Sequence, residues 1–165
     1  MKIRKATKED LPALLAVFDR ARAFMAASGN PGQWLAGYPG EALLQDQIAR
    51  GVCYVCTENG ALEATFCYLV GEDPTYANIY DGAWPQKDPD GYGTIHRLAS
   101  AGSIPGMAAY CIRWCAAQGL PLRADTHEDN KVMQHLLQKN GFIHCGTILL
   151  QDGRPRLAYY RPAEA

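Results

Sequence analysis

Tyr92-Gly93-Thr94-Ile95-His96-Arg97-Leu98-Ala99-Ser100-Ala101-Gly102-Ser103-Ile104-Pro105-Gly106-Met107-Ala108 reads as a strand, a short loop of small residues and the first turn of a helix. That order makes an anion cradle. The first backbone N–H groups of a helix lack an intrahelical acceptor and lie at the positive end of its dipole, so a phosphate placed there meets several donors. Pro105 suits the first helical turn, where its missing N–H costs nothing, and Gly102 and Gly106 let a bulky ligand approach the backbone. A glycine-containing strand-to-helix turn can also be only a tight turn, and the stretch by itself leaves both readings open. Two phosphate-binding spellings are absent, Gly-x-x-x-x-Gly-Lys-Ser/Thr and Gly-x-Gly-x-x-Gly. A nucleoside triphosphatase and a nicotinamide enzyme are thereby disfavoured.

Upstream, residues 2–6 predict a short strand, and Thr7-Lys8-Glu9-Asp10 spells a capping box. Leu11, Leu14, Leu15, Phe18, Ala21 and Met25 follow at helical spacing, predicting a helix over about 9–27 that stops near Ser28-Gly29-Asn30-Pro31-Gly32. An aromatic connector, Gln33-Trp34-Leu35-Ala36-Gly37-Tyr38-Pro39, leads to a helix over 41–50. Strands over 52–57 and 61–70 form a hairpin around Asn59-Gly60. The long segment 72–91 is a loop with a short strand at 77–80, and its length favours a functional role.

Downstream, a helix over 106–118 ends at Gly119, and a strand covers 120–125. Thr126-x-x-Asp129 spells a second capping box, for a helix that ends at Asn140-Gly141. Strands over 142–150 and 155–161 turn at Gln151-Asp152-Gly153. The expected architecture is mixed α/β, a largely antiparallel central sheet flanked by helices.

Ser103-Ile104-Pro105-Gly106-Met107-Ala108 resembles Gln/Arg-x-x-Gly-x-Gly/Ala, the pyrophosphate motif of the GNAT superfamily of acyl-CoA-dependent N-acyltransferases. Arg123-Ala124-Asp125-Thr126-His127, then Asn130, Met133, Leu136 and Lys139-Asn140-Gly141-Phe142 are similar to the family's next strand, Asn-led helix and closing Gly-Phe. The resemblance spans roughly residues 2 to 161, and its specificity lies in the order of the two motifs.

The 165 residues suit one domain, 1–165, with a proper core. Sixteen Lys and Arg against 17 Asp and Glu give a net charge of −1 with no basic run, which argues against nucleic acid as a partner. No segment approaches the ~20 apolar residues of a membrane span, and no apolar stretch follows Met1-Lys2-Ile3-Arg4-Lys5 to act as a signal peptide. The expectation is a cytoplasmic protein without a membrane partner. Six cysteines lie within apolar patterns and read as reduced packing residues. Cys53 and Cys56 tempt a zinc reading, but residues three apart on a strand point to opposite faces, and no metal is expected.

The resemblance implies that two neighbouring strands splay, and that the cofactor's pantetheine arm pairs with strand backbone at Leu98, Ala99 and Ser100. The pyrophosphate would rest on the segment Ser103, Ile104, Pro105, Gly106, Met107 and Ala108, with Ser103 replacing the usual Gln or Arg. Asn130 matches the family residue that touches the cofactor arm, and a helix cap is its other reading. Many members carry a catalytic carboxylate at the position that reads His96 here, so His96 is the candidate base. Imidazole, with an ordinary pKa near ~6.5, suits that task, and a hydrogen-bonded structural histidine is the alternative. Arg97 should face the other side of a regular strand and be structural. The family's acidic tyrosine matches Leu137.

For the acceptor, Trp34, Tyr38, Tyr80 and Trp84, with Asp81 and the other loop acids Asp73, Asp88 and Asp90, would suit a cationic amine; a solvated acidic loop is the other reading. The implied activity is acetyl transfer from acetyl-CoA directly to a primary amine of a small molecule, amino acid or peptide, by a chain for which a homodimer is open. The alternative is a non-catalytic acyl-CoA-binding module.

Overall fold

The computed structural model describes residues 1–164. In chain order the elements are β1 (Lys2–Lys5), α1 (Leu11–Ala27), α2 (Glu41–Ala49), β2 (Cys53–Glu58), β3 (Ala61–Val70), β4 (Gly93–Ser100), α3 (Met107–Ala116), β5 (Leu122–Thr126), α4 (Lys131–Lys139), β6 (Ile143–Leu149) and β7 (Pro155–Arg161). The strands form one sheet in the order β1-β2-β3-β4-β5-β7-β6, antiparallel except for β4 against β5.

Helix α1 buries Leu14, Val17, Phe18 and Ala21, the i, i+3, i+4, i+7 stripe of an amphipathic helix. Together with Leu44 of α2 they pack on Val55 and Ala99 at one face of the sheet. On the other face Met107, Cys111, Ile112 and Cys115 of α3 and Leu137 of α4 close over Phe66, Tyr68, Ile95 and Leu98. Cys53 belongs to the first cluster and Cys56 to the second, as strand alternation requires.

Capping follows the sequence at one end and departs from it at the other. Asp10 accepts the Thr7 N–H at 2.7 Å and takes both arms of Arg4, at 2.8 and 2.9 Å, with a short 3₁₀ turn ahead of α1. The expected box at Thr126 does not cap α4. Thr126 is the last residue of β5, and Asn130 caps the helix by accepting the Met133 N–H at 3.0 Å.

Two irregularities create the site. Strands β4 and β5 pair only at Gly93–Leu122 and Thr94–Arg123, so the backbone of β4 beyond Thr94 is free on its β5 side. A bulge sets Arg97 and Leu98 together opposite the single residue Phe66, since His96 pairs with Cys67 and Ala99 with Thr65, and Arg97 has φ +52°.

The loop from residue 71 to 92 is held down over most of its length. A 3₁₀ turn, Pro74–Tyr76, is capped by the Asp73 side chain. The strand expected at 77–80 shrinks to one bridge, Tyr80 with Thr147. A Cβ at Gly82 would strike the Cys145 carbonyl, which is why a glycine stands where the loop crosses β6. Among the described residues no helix is long and apolar enough to cross a membrane.

Candidate active site

The splay opens a cavity of about 670 Å³ whose wall includes the four consecutive β4 residues Ile95, His96, Arg97 and Leu98. Ile95 and Leu98 face α3. Arg97 and Cys67, the partner of His96, both donate to Gln47 of α2, so the cavity is lined from both faces and the bulge is what turns Arg97 to the side of His96. This corrects the expectation that Arg97 faces the opposite side. Its guanidinium donates to the Tyr38 hydroxyl at 3.1 Å and to Gln47 Oε1 at 3.2 Å.

His96 is half-buried, and its Nε2 lies 2.9 Å from Asp73 Oδ2. A carboxylate only accepts, so the shared proton sits on Nε2 and the Nδ1 lone pair is left for another partner. Asp73 is itself positioned by the Thr75 N–H at 3.0 Å and by the Thr75 hydroxyl. Burial would raise the Asp73 pKa, but the hydrogen bonds from His96 and Thr75 outweigh it and hold the carboxyl at about 2, against an ordinary 3.8. A depressed carboxylate adds stability above its unfolded pKa that is lost as pH falls through the folded value. Asp73 is therefore expected to add about 2 kcal/mol at neutral pH, lost between about pH 4 and pH 2. In acid-denaturation curves Asp73→Asn should flatten that fall; an unchanged slope would show that Asp73 is not so held.

Beyond β4 the chain turns through exposed Gly102, Ser103, Pro105 and Gly106 into α3, and Gly106 takes φ +79° at the helix N-cap. A Cβ at Gly106 would meet nothing within 4 Å, so the turn is open. The N–H groups of Met107 and Ala108 are at the first turn of α3, Ile104 and Ala108 pack partly against the core, and Met107 is buried. Arg20 of α1 reaches this loop, donating to the Ser100 carbonyl at 3.3 Å and lying over Gly102. It adds a positive charge that sequence reading missed.

The other candidates divide sharply. Trp34 and Tyr38 line the cavity, and Trp34 also packs on Phe18 with centroids 5.6 Å apart, so the connector is both plug and wall. Tyr80, Asp81 and Trp84 do not line it. Trp84 stacks on the Arg123 guanidinium at 4.2 Å, Tyr80 bridges to β6, and Asp81 sits in the exposed turn beside it at φ +55°. Asp88 is withdrawn as well, buried in an ion pair with Arg123 at 2.9 Å. Asn130 is also corrected. It is 7% exposed, and its side chain caps α4 and donates to Gln33 Oε1 at 2.7 Å, so it serves the fold and does not line the cavity.

Gln33 is the residue that the sequence did not reveal. Its Oε1 also receives Asn30 Nδ2 at 3.0 Å and the Thr126 hydroxyl at 3.2 Å, tying the connector to the end of β5 and the start of α4. Nothing local in the sequence signals this, since the donors come from distant segments.

No protein-family model and no curated protein matches the sequence. Among solved structures, a GNAT-family acetyltransferase from Streptococcus agalactiae 2603 is 32% identical, with 99% of this chain and 96% of that one covered and a TM-score of 0.87. The chain belongs to the GNAT family. Two more distant structures share the GNAT fold. The GNAT-like decarboxylase GphF, solved with isobutyryl-CoA, is 14% identical over 99% of this chain and 100% of that one, with a TM-score of 0.68. N-acetylglutamate synthase from Neisseria gonorrhoeae, solved with coenzyme A and N-acetyl-glutamate, is 15% identical over 99% of this chain and 35% of that one, with a TM-score of 0.61. Leu137, the residue that the sequence resemblance sets against the family's tyrosine, lines the cavity.

Proposed function

We propose that this GNAT protein is an acetyl-CoA-dependent N-acetyltransferase, passing the acetyl group directly to the primary amine of a small molecule, amino acid or peptide. The observation that carries the reading is the His96–Asp73 pair on the wall of the cavity that opens where β4 and β5 part.

The residues present fit the cofactor. The β4 backbone at Leu98, Ala99 and Ser100 has no partner on the β5 side and can pair with an amide-bearing arm. The open turn from Ser103 to Ala108 presents helix-terminal donors for a pyrophosphate, with Arg20 beside it. Two fold neighbours solved with CoA-type ligands support an acyl-CoA as the ligand. When bound, acetyl-CoA supplies a thioester whose C–S bond breaks as the new N–C bond forms, with release of the thiol.

The protein's own task is to hold the amine and take its proton. An ammonium has no lone pair, so His96 accepts the proton through Nδ1 while Asp73 stabilises the imidazolium through Nε2–H. Leu137 offers no proton to the departing sulfur. A thiol ionises at ~8.5, so the sulfur leaves as thiolate without obligatory acid help and takes up the second amine proton to become the thiol.

Calorimetric titration with acetyl-CoA tests the cofactor site. Ser103 is exposed, so Ser103→Glu adds a carboxylate to the cradle without burying anything, and it should weaken binding by about ten-fold or more while the melting temperature holds. Wild-type protein that does not bind acetyl-CoA would refute the reading.

A further inference from the structure

The cavity wall carries both carboxylates and guanidiniums. Its carboxylates are engaged: Asp73 by His96 and Thr75, Asp125 by the Tyr76 hydroxyl at 2.7 Å, and Asp152 by Arg154 at 2.8 Å. Two of its guanidiniums are not balanced in this way. Among the described residues, neither Arg97 nor Arg156 has a carboxylate oxygen within 4.0 Å.

Arg156 is the stronger case, because it is only 4% exposed yet lines the cavity. Two of its N–H donors go to neutral carbonyls, those of Pro155 and Gln33, each at 2.9 Å. Asp125 and Asp152 act on it only from beyond 4.0 Å. Burial of a guanidinium whose direct partners are carbonyls is costly, and its fork of N–H donors matches a carboxylate. Gln33 adds to the same end. With its Oε1 surrounded by donors from Asn30, Thr126 and Asn130, its amide N–H groups are left for a ligand.

We infer that the acceptor is an amino carboxylate, its amine beside His96 and its carboxylate held by Arg156 and Arg97 with the Gln33 amide. This rests on the acetyltransferase reading above and narrows its acceptor. It also replaces the cationic acceptor that the acidic loop suggested, since Asp88 is buried with Arg123 and Asp81 lies off the cavity.

The test follows thiol release from acetyl-CoA with the proteinogenic amino acids, with their α-carboxamides and with simple diamines. At least one amino acid should be acetylated with a kcat/KM about ten-fold or more above that of its carboxamide. Arg97→Met should bring that ratio within about three-fold, through the acceptor KM, with acetyl-CoA affinity unchanged. Arg156→Met should do the same; because that side chain is buried, Arg156→Lys serves if the first variant does not fold. Preference for carboxamides or diamines overturns the inference. So does an unchanged ratio in a folded variant, or transfer to no amino acid by protein that binds acetyl-CoA. Protein that binds no acetyl-CoA overturns the parent reading, and this one with it.

Discussion

Replacing His96 with alanine is expected to lower kcat by about 10²–10⁴-fold, the range lost with a general base, while acetyl-CoA affinity stays within about two-fold. The split follows from where the ring sits. His96 is on the cavity wall, its Nε2 held by Asp73, whereas the proposed cofactor contacts begin two residues further along β4 and continue into the turn before α3. Losing the ring removes the proton acceptor and leaves the cradle intact. A purely structural histidine behaves differently, because its loss would lower the melting temperature and affect activity only through folding. Added imidazole distinguishes the two: it should restore part of the rate in His96→Ala if proton transfer is the missing step. A folded variant that keeps its rate would place the base elsewhere. Wild-type protein that binds acetyl-CoA and acetylates no amine would be a binding module, a reading that Leu137 in place of a tyrosine keeps in view.

The second large effect is on stability. Arg123→Ala is expected to cost about 3–5 kcal/mol, the usual result of removing one partner from a buried ion pair. Arg123 lies between Trp84 and Tyr92, its guanidinium 4.2 and 3.9 Å from the two ring centroids. It donates to Asp88 at 2.9 Å, and the Tyr160 hydroxyl donates to the same carboxylate at 3.0 Å. The Asp88 side chain is 2% exposed, so without Arg123 a carboxylate stays buried with no counterion. These contacts pin the far end of the loop whose near end carries Asp73, so the damage should extend to activity. Denaturant midpoints measure the loss. Replacing both partners with apolar residues should cost less than Arg123→Ala alone, because no charge is then stranded. A single variant within about 1 kcal/mol of wild type would show that the pair does not anchor the loop.

Much of the molecule was legible locally. The stripe at Leu14, Val17, Phe18 and Ala21, the turn at Asn59-Gly60 and the open turn around Gly106 depend on residues near one another in the chain. Periodicity, turn chemistry and glycine freedom act over that range, so helices, hairpins and the turn before α3 could be read in order. The position of His96 was also legible, through its place in a recognisable strand. Its partner was not, because Asp73 comes from a loop 23 positions earlier and looked like one acidic residue among several.

The acceptor end of the cavity belongs to tertiary structure. Arg97 reaches the wall only because β4 bulges against Phe66, and nothing in an alternating strand pattern announces an extra residue in the register. Trp84, Asp88 and Asn130 looked like ligand contacts, and were drawn into the fold by Arg123, Tyr160 and Gln33 from distant parts of the chain. The roles of Arg156 and Gln33 were not legible because their carbonyl and amide partners carry no charge pattern. Local rules settle the elements and their faces; pairing over long separations decides which polar groups are consumed by the fold and which remain free to meet a ligand.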